Sequence, residues 1–292
     1  MKAINWLRER GVMIFAILVV IYTLLPIAVI IAFSFNDPAG KFNFTWQGFT
    51  TDYWANAFDI PDLNAAMLRS LELAALATIV STILGTMIAL ALVRYQFRGR
   101  RGANLLIVIP MTSPEVVIGA ALLSMFVYFQ ISTGFLTLLI AHIMFTISFV
   151  VVVVRSRLIG FDRRLEEAAR DLGADPRTTF RTVTLPLIAP GLVAAGGLAF
   201  ALSLDDFVIS NFNSGTTVTF PLYIFGAAQR GIPVQVNVFA TILFALTVIA
   251  MVATVIQQRR AEKMAQVRPD QDDGTGGLVS RRDPVSTAGS AA

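Results

Sequence analysis

The chain has 292 residues, 55% of them hydrophobic and only 14% charged, with a mean hydropathy of +0.70. A soluble globule cannot hide that much apolar surface, and a disordered chain, a coiled coil or a nucleic-acid binder needs more charge than 23 Lys and Arg with 19 Asp and Glu supply. There is no Cys and a single His, His142, so disulfide frameworks, thiolate chemistry and the common zinc sites are excluded.

Six apolar stretches reach the roughly 20 residues that a helix needs to cross about 30 Å of hydrocarbon. They run over about 11–33, 70–93, 104–129, 132–154, 187–210 and 236–256. The first is too long for a signal peptide and lacks a small-residue cleavage site, so it reads as an anchor. With the N-terminus in the cytoplasm, 20 of the basic residues fall on the cytoplasmic side and only Lys41, Arg69 and Arg230 outside. The positive-inside rule therefore predicts that both termini are cytoplasmic. The external segment 34–69 is acidic, with Asp37, Asp52, Asp59 and Asp62, and is expected to hold a short interfacial helix over about 52–57. Residues 1–263 read as one six-span domain, and the tail 264–292, rich in Gly, Pro, Ser and Asp, as disordered.

Several spans carry residues that lipid alone does not call for. The third is interrupted by Pro110 and Pro114, with Glu115 next. A charge at the bilayer centre costs about 2.5–3.5 kcal/mol on insertion scales, which makes it a functional candidate; alternatively Glu115 sits at the end of a broken helix where water or backbone satisfies it. The fifth holds Ala194, Ala195, Gly196, Gly197, Ala199 and Ala201, small enough for helices to approach closely. Near its outer end stand Asp205 and Asp206, which on a helix point about 100° apart and cannot face one atom together. His142 reads as a hydrogen-bonded interhelical residue before a proton relay. Phe207, Phe212, Phe220, Tyr223 and Phe225 read as interfacial anchors first and as contacts for a solute's methylenes second. The stretch 220–231 predicts a short helix at the outer mouth.

The longest cytoplasmic loop, 155–186, spells two helices. Asp162 is an N-cap before Arg163–Leu172, Gly173 stands where a left-handed residue ends a helix, and Asp175 with Pro176 caps and opens a second. Pro186 and Pro190 are expected to separate that second helix from the fifth span. The product is a compact knob on the membrane face, nearly bare on one side at Ala168 and Ala169.

The string Glu167-Ala168-Ala169, three residues, Gly173, nine residues, then Val183-Thr184-Leu185-Pro186 resembles the EAA motif of ATP-binding cassette importer permeases, departing from it only in Val183 for isoleucine. Further phrases in the same order, Trp46–Thr51, Arg94–Gly99, Ser113–Val117, Ser203–Phe207 and Val236–Leu243, resemble those of spermidine/putrescine permeases. Where these often have aspartate after Ser-Pro, this chain has Glu115. The resemblance covers nearly the whole chain up to Lys263.

The resemblance implies an all-α integral membrane protein with the type I ABC importer (MetI-like) permease fold, in a bacterial inner membrane. It implies coupling to an ATPase through Glu167, Ala168, Ala169, Gly173, Leu185 and Pro186. Its expected partners are a second homologous permease, two ATPase subunits, an extracytoplasmic binding protein and membrane lipid, with no nucleic acid. No cofactor is expected in this chain, ATP and Mg being held by the ATPase subunits. Glu115, Asp205 and Asp206 are the candidate substrate-path residues for a polyamine. Another cationic or small organic solute is the alternative, and a secondary transporter or channel a more distant one. An enzyme lacks its inventory here: there is no GxxxxGK[ST] loop and no paired His or Cys set.

Overall fold

The computed structural model describes residues 2–160 and 162–266. Of the tail expected to be disordered, 264–266 continue the last helix and the remainder lies outside the described residues. The described residues form α-helices throughout, with no strand beyond one isolated antiparallel bridge between Asn36 and Phe49. The helices are α1 (Lys2–Phe33), α2 (Asp52–Ala55), α3 (Pro61–Arg94), α4 (Arg100–Thr112), α5 (Glu115–Tyr128), α6 (Phe135–Ile159), α7 (Arg164–Asp171), α8 (Pro176–Thr179), α9 (Leu185–Leu204), α10 (Val208–Asn213), α11 (Phe220–Arg230) and α12 (Val234–Gln266). The described residues up to Val238 make one compact unit, and those from Phe239 make a second.

Among the described residues five helices are long and apolar enough to cross a membrane: α1, α3, α6, the run ending in α9, and α12. The expected third span is not one rod. It is α4 followed by α5, bent by 111°. The break falls at Ser113-Pro114; Pro110 stays inside α4. Ser113 is extended (φ −79°, ψ 140°) because the ring of Pro114 forces the residue before it out of helical geometry, and Pro114 itself stands at φ −59°, ψ 134° as the cap of α5. At 1.5 Å per residue, neither helix alone reaches across about 30 Å of hydrocarbon.

The core is a three-helix packing of α3, α6 and α9. Ala89, Leu92, Val150, Val151, Val154, Leu158, Ile188, Ala195 and Ala199 form its buried cluster. Small residues set the approach. A β-carbon at Gly85 of α3 would stand 2.6 Å from Val150 Cγ1, and one at Gly191 of α9 would stand 2.9 Å from Arg157 Cγ; only glycine admits such contact. Of the small residues in α9, Ala195 and Ala199 are fully buried whereas Ala194, Gly197 and Ala201 face outward. A second cluster of Leu122, Phe126, Ala141, Phe145 and Ile209 joins α5, α6 and α10. The external segment folds around Asn36, whose Nδ2 donates to Asn43 Oδ1 (2.6 Å) and Thr45 O (2.8 Å) and whose Oδ1 accepts from Gln47 N–H (2.8 Å).

The proline-rich entry to α9 also differs from expectation. Pro186 and Pro190 do not separate α8 from the fifth span: helix runs from Pro176 to Leu204 through a π-helical turn, Phe180–Thr184. The wider turn absorbs the hydrogen bond that Pro186 cannot donate, and Pro186 then stands in the first turn of α9, where no N–H is needed. The fifth helix ends at Leu204, six residues earlier than the hydropathy suggests, and Asp205-Asp206-Phe207 is a break before α10.

Candidate functional site

The cytoplasmic knob is built from capping chemistry. Asp162 Oδ1 accepts the Arg164 N–H (3.0 Å) at the start of α7. At its end the Gly173 N–H bonds to Arg170 O (2.8 Å) and the Ala174 N–H to Ala169 O (3.0 Å), with Gly173 at φ +89°; this is a Schellman closure, which needs a left-handed residue at that point. Asp175 Oδ1 accepts the Thr178 N–H (3.0 Å) and opens α8. Hydrogen bonding from Thr178 holds the Asp175 carboxyl below its ordinary value.

The two glutamates of α7 part company. Glu167 is exposed, as are Ala168 and Gly173, while Ala169 is half-buried. Glu166 is only 5% exposed; its carboxylate pairs with the Arg94 guanidinium at the end of α3 and accepts the Thr184 hydroxyl from the π turn. Leu165, Ala168 and Leu172 recur at helical spacing and are all exposed, Leu172 at 90%. Leu185 and Pro186 lie apart from this face, in the first turn of α9. Sequence reasoning passed over Glu166, Arg94 and Thr184. A capped two-turn helix can turn only one of two adjacent carboxylates outward, and that was the available signal.

The three acidic candidates lie at the breaks of the bundle. Glu115 is exposed in the first turn of α5, where the helix N-terminus favours negative charge. α5 packs on α10 closely enough that a β-carbon at Gly119 would stand 2.8 Å from Phe212, and Asn213 Nδ2 donates to Gly119 O (3.2 Å). That contact brings Glu115 within electrostatic reach of Asp206 and Asp205. Asp205 is exposed. Asp206, 7% exposed, caps α10: it accepts from Ile209 N–H (3.2 Å), Ser210 N–H (2.8 Å) and Ser210 Oγ (2.9 Å).

His142 holds that cap in place from α6. Its Nδ1 lies 2.8 Å from Ser203 Oγ and its Nε2 lies 3.0 Å from Ser210 Oγ, so both ring nitrogens are used between helices. Phe207 packs against Phe225 of α11 with 4.7 Å between centroids and the rings tilted by 40°. At the N-terminal end of α3, beside α11, a cavity of about 860 Å³ is lined by Asp62, Arg69, Phe135, Tyr223 and Arg230, among others. Among the described residues no group of three His, Cys, Asp or Glu is placed to hold a metal ion.

The family described as "Binding-protein-dependent transport system inner membrane component" matches residues 81–265. The spermidine/putrescine transport system permease protein PotC of Escherichia coli (strain K12) is 39% identical over 243 residues, covering 83% of this chain and 91% of that protein. The putrescine transport system permease protein PotI of the same strain is 37% identical over 247 residues, covering 82% and 87%. A chain from the crystal structure of a bacterial ABC transporter involved in the import of the acidic polysaccharide alginate shares the fold, with a TM-score of 0.59 and 18% identity, over 86% of this chain and 96% of that one.

Proposed function

The chain belongs to the family of binding-protein-dependent transport system inner membrane components, and from that premise we propose that it is the permease for a polyamine, putrescine or spermidine. A permease of this kind is not an enzyme; hydrolysis belongs to other subunits of the importer. The observation that carries the solute class is the pair of exposed carboxylates, Glu115 and Asp205, at the two helix breaks that α5 and α10 bring together. Polyamines are flexible polycations, and carrying one through hydrocarbon depth needs fixed negative charge to offset lost hydration, yet few enough charges that the ion leaves again. The fold cannot make this choice, since a transporter of an acidic polysaccharide has it too. Identity to two permeases named for putrescine transport supports the same choice.

In this reading the chain pairs with a second, homologous permease, two ATPase subunits and an extracytoplasmic binding protein, both of its termini being cytoplasmic. ATP and Mg stay on the ATPase subunits. The knob of α7 and α8, through Glu167, Ala168, Ala169 and Gly173, with Leu185 and Pro186 at its root, docks on an ATPase subunit, whose closure alternates access to a path between the permeases. The test is uptake: a tagged chain expressed from its native gene cluster should bring an ATPase and a second permease through purification. The reconstituted complex should accumulate labelled putrescine or spermidine only with ATP and binding protein. Purification alone or as a homo-oligomer would overturn the importer reading, and stimulation by a different solute class would overturn the polyamine one.

A further inference from the structure

We propose that α3 is the rod that passes movement of the cytoplasmic knob to the outer mouth, with Glu166 and Ser70 as positioning residues at its two ends. The inference rests on the importer reading and orientation given above. At the inner end, Glu166 ties three elements together through one buried carboxylate: α7, the Arg94 terminus of α3, and Thr184 of the π turn that leads into α9. Arg94 suits its place, since a helix C-terminus favours a cation. Displacing α7 without displacing α3 would leave a buried carboxylate short of its partner, which costs far more than the pair contributes when made.

At the outer end the tie is to α11. The Phe220 N–H, one of the donors a helix start leaves over, donates to Ser70 Oγ at 2.8 Å across 150 residues of sequence. Both Ser70 and Phe220 are buried. α11 also carries Phe225, which packs against Phe207 beside Asp205 and Asp206, so a shift of α11 reaches the acidic break. Between the two ties lie 23 residues of unbroken helix in α3, wedged against α6 at Gly85 and packed on Gly196 of α9 through Thr78 and Thr82, with no proline to absorb the motion. Packed helices shift as bodies, so a displacement imposed at Arg94 arrives at Ser70.

The experiment reconstitutes the full complex with its ATPase subunits and binding protein, uses putrescine as the probe and reads uptake per ATP hydrolysed. Glu166→Gln and Ser70→Ala should each lower that ratio by roughly fivefold or more, as expected for loss of a coupling interaction, at parental assembly and basal hydrolysis. Arg94→Glu should do the same, and the exchange Arg94→Glu with Glu166→Arg should recover most of the ratio, which loss of fold alone would not do. Should Glu166→Gln fail to assemble, Thr184→Val and Ser70→Ala are read in its place. An unchanged ratio in the variants that assemble overturns the proposal. If the parental complex ignores putrescine, the polyamine reading has failed, and the proposal is judged on the hydrolysis that the binding protein stimulates.

Discussion

His142 Nε2 lies 3.4 Å from Asp206 Oδ2, with the Ser210 hydroxyl bonded to both groups, so the second of two adjacent aspartates is committed to holding α10 against α6. Asp205, one residue earlier, makes no such commitment and is exposed.

The two neutral variants should therefore fail in different ways. Asp206→Ala leaves the N–H groups of Ile209 and Ser210 without their buried acceptor and is expected to cost about 1–3 kcal/mol, seen as a lower melting temperature of the purified complex and less chain in the membrane. Asp205→Asn should leave both unchanged and cut polyamine uptake about tenfold, the equivalent of roughly 1.4 kcal/mol against the cation. Equal stability losses in the two would show that their roles are not divided in this way.

The span pattern was legible because 20-residue apolar runs are a strong signal. The knob was legible because Asp162, Gly173, Asp175 and Pro176 are each a local cap whose geometry needs no distant partner. What could not be read was long-range. Nothing near Ser113-Pro114 says that the chain turns by 111° and does not merely kink, because the angle is set by packing of α5 on α10 and α6. Equally, Glu166 and Glu167 look alike until Arg94, 72 residues away, selects one of them. Pro186 misled because a π turn, not a break, relieves it.

Gly85 gives a packing test. Its absent β-carbon would stand 2.6 Å from Val150 Cγ1, so Gly85→Ala should overpack the α3–α6 contact and cost about 1–3 kcal/mol. Val150→Ala removes the Cγ1 methyl but keeps a Cβ that would stand 2.9 Å away, so the double variant should recover only part of the loss. Thermal unfolding of the four chains measures this coupling, and additive losses would place the contact elsewhere.

The caps of the knob give a pH test. The Asp175 carboxyl is held below its ordinary value by Thr178, so its contribution is complete above the ordinary aspartate range and is lost only as pH falls through the lowered folded-state value. Exchange protection of the Thr178 amide should be flat from neutral pH down to that range, after correction for the intrinsic rate, and fall below it. Asp175→Ala should lose the protection at every pH. Gly173→Ala meets no atom within 4 Å, so its whole effect is the left-handed backbone at φ +89°, about 1–2 kcal/mol.

The exposed face of α7 makes the sharpest functional test. Leu165, Ala168 and Leu172 lie three and four residues apart, which puts them on one side of a helix whose opposite side is held inward by Glu166. A leucine 90% exposed at the tip of a capped turn is the anchor that an amphipathic helix presents to a groove. Leu172→Asp should therefore weaken ATPase docking by about 2 kcal/mol, the scale of an interface hot spot, or roughly thirtyfold in affinity. Glu167→Lys, exposed on another side of α7, should also weaken it. Pro186→Ala is exposed but stands at the root of α9, and it should leave docking intact. The measurement is the amount of ATPase subunit recovered with the tagged chain at equal membrane level. Parental recovery with Leu172→Asp would mean that the ATPase does not dock on this face of the knob.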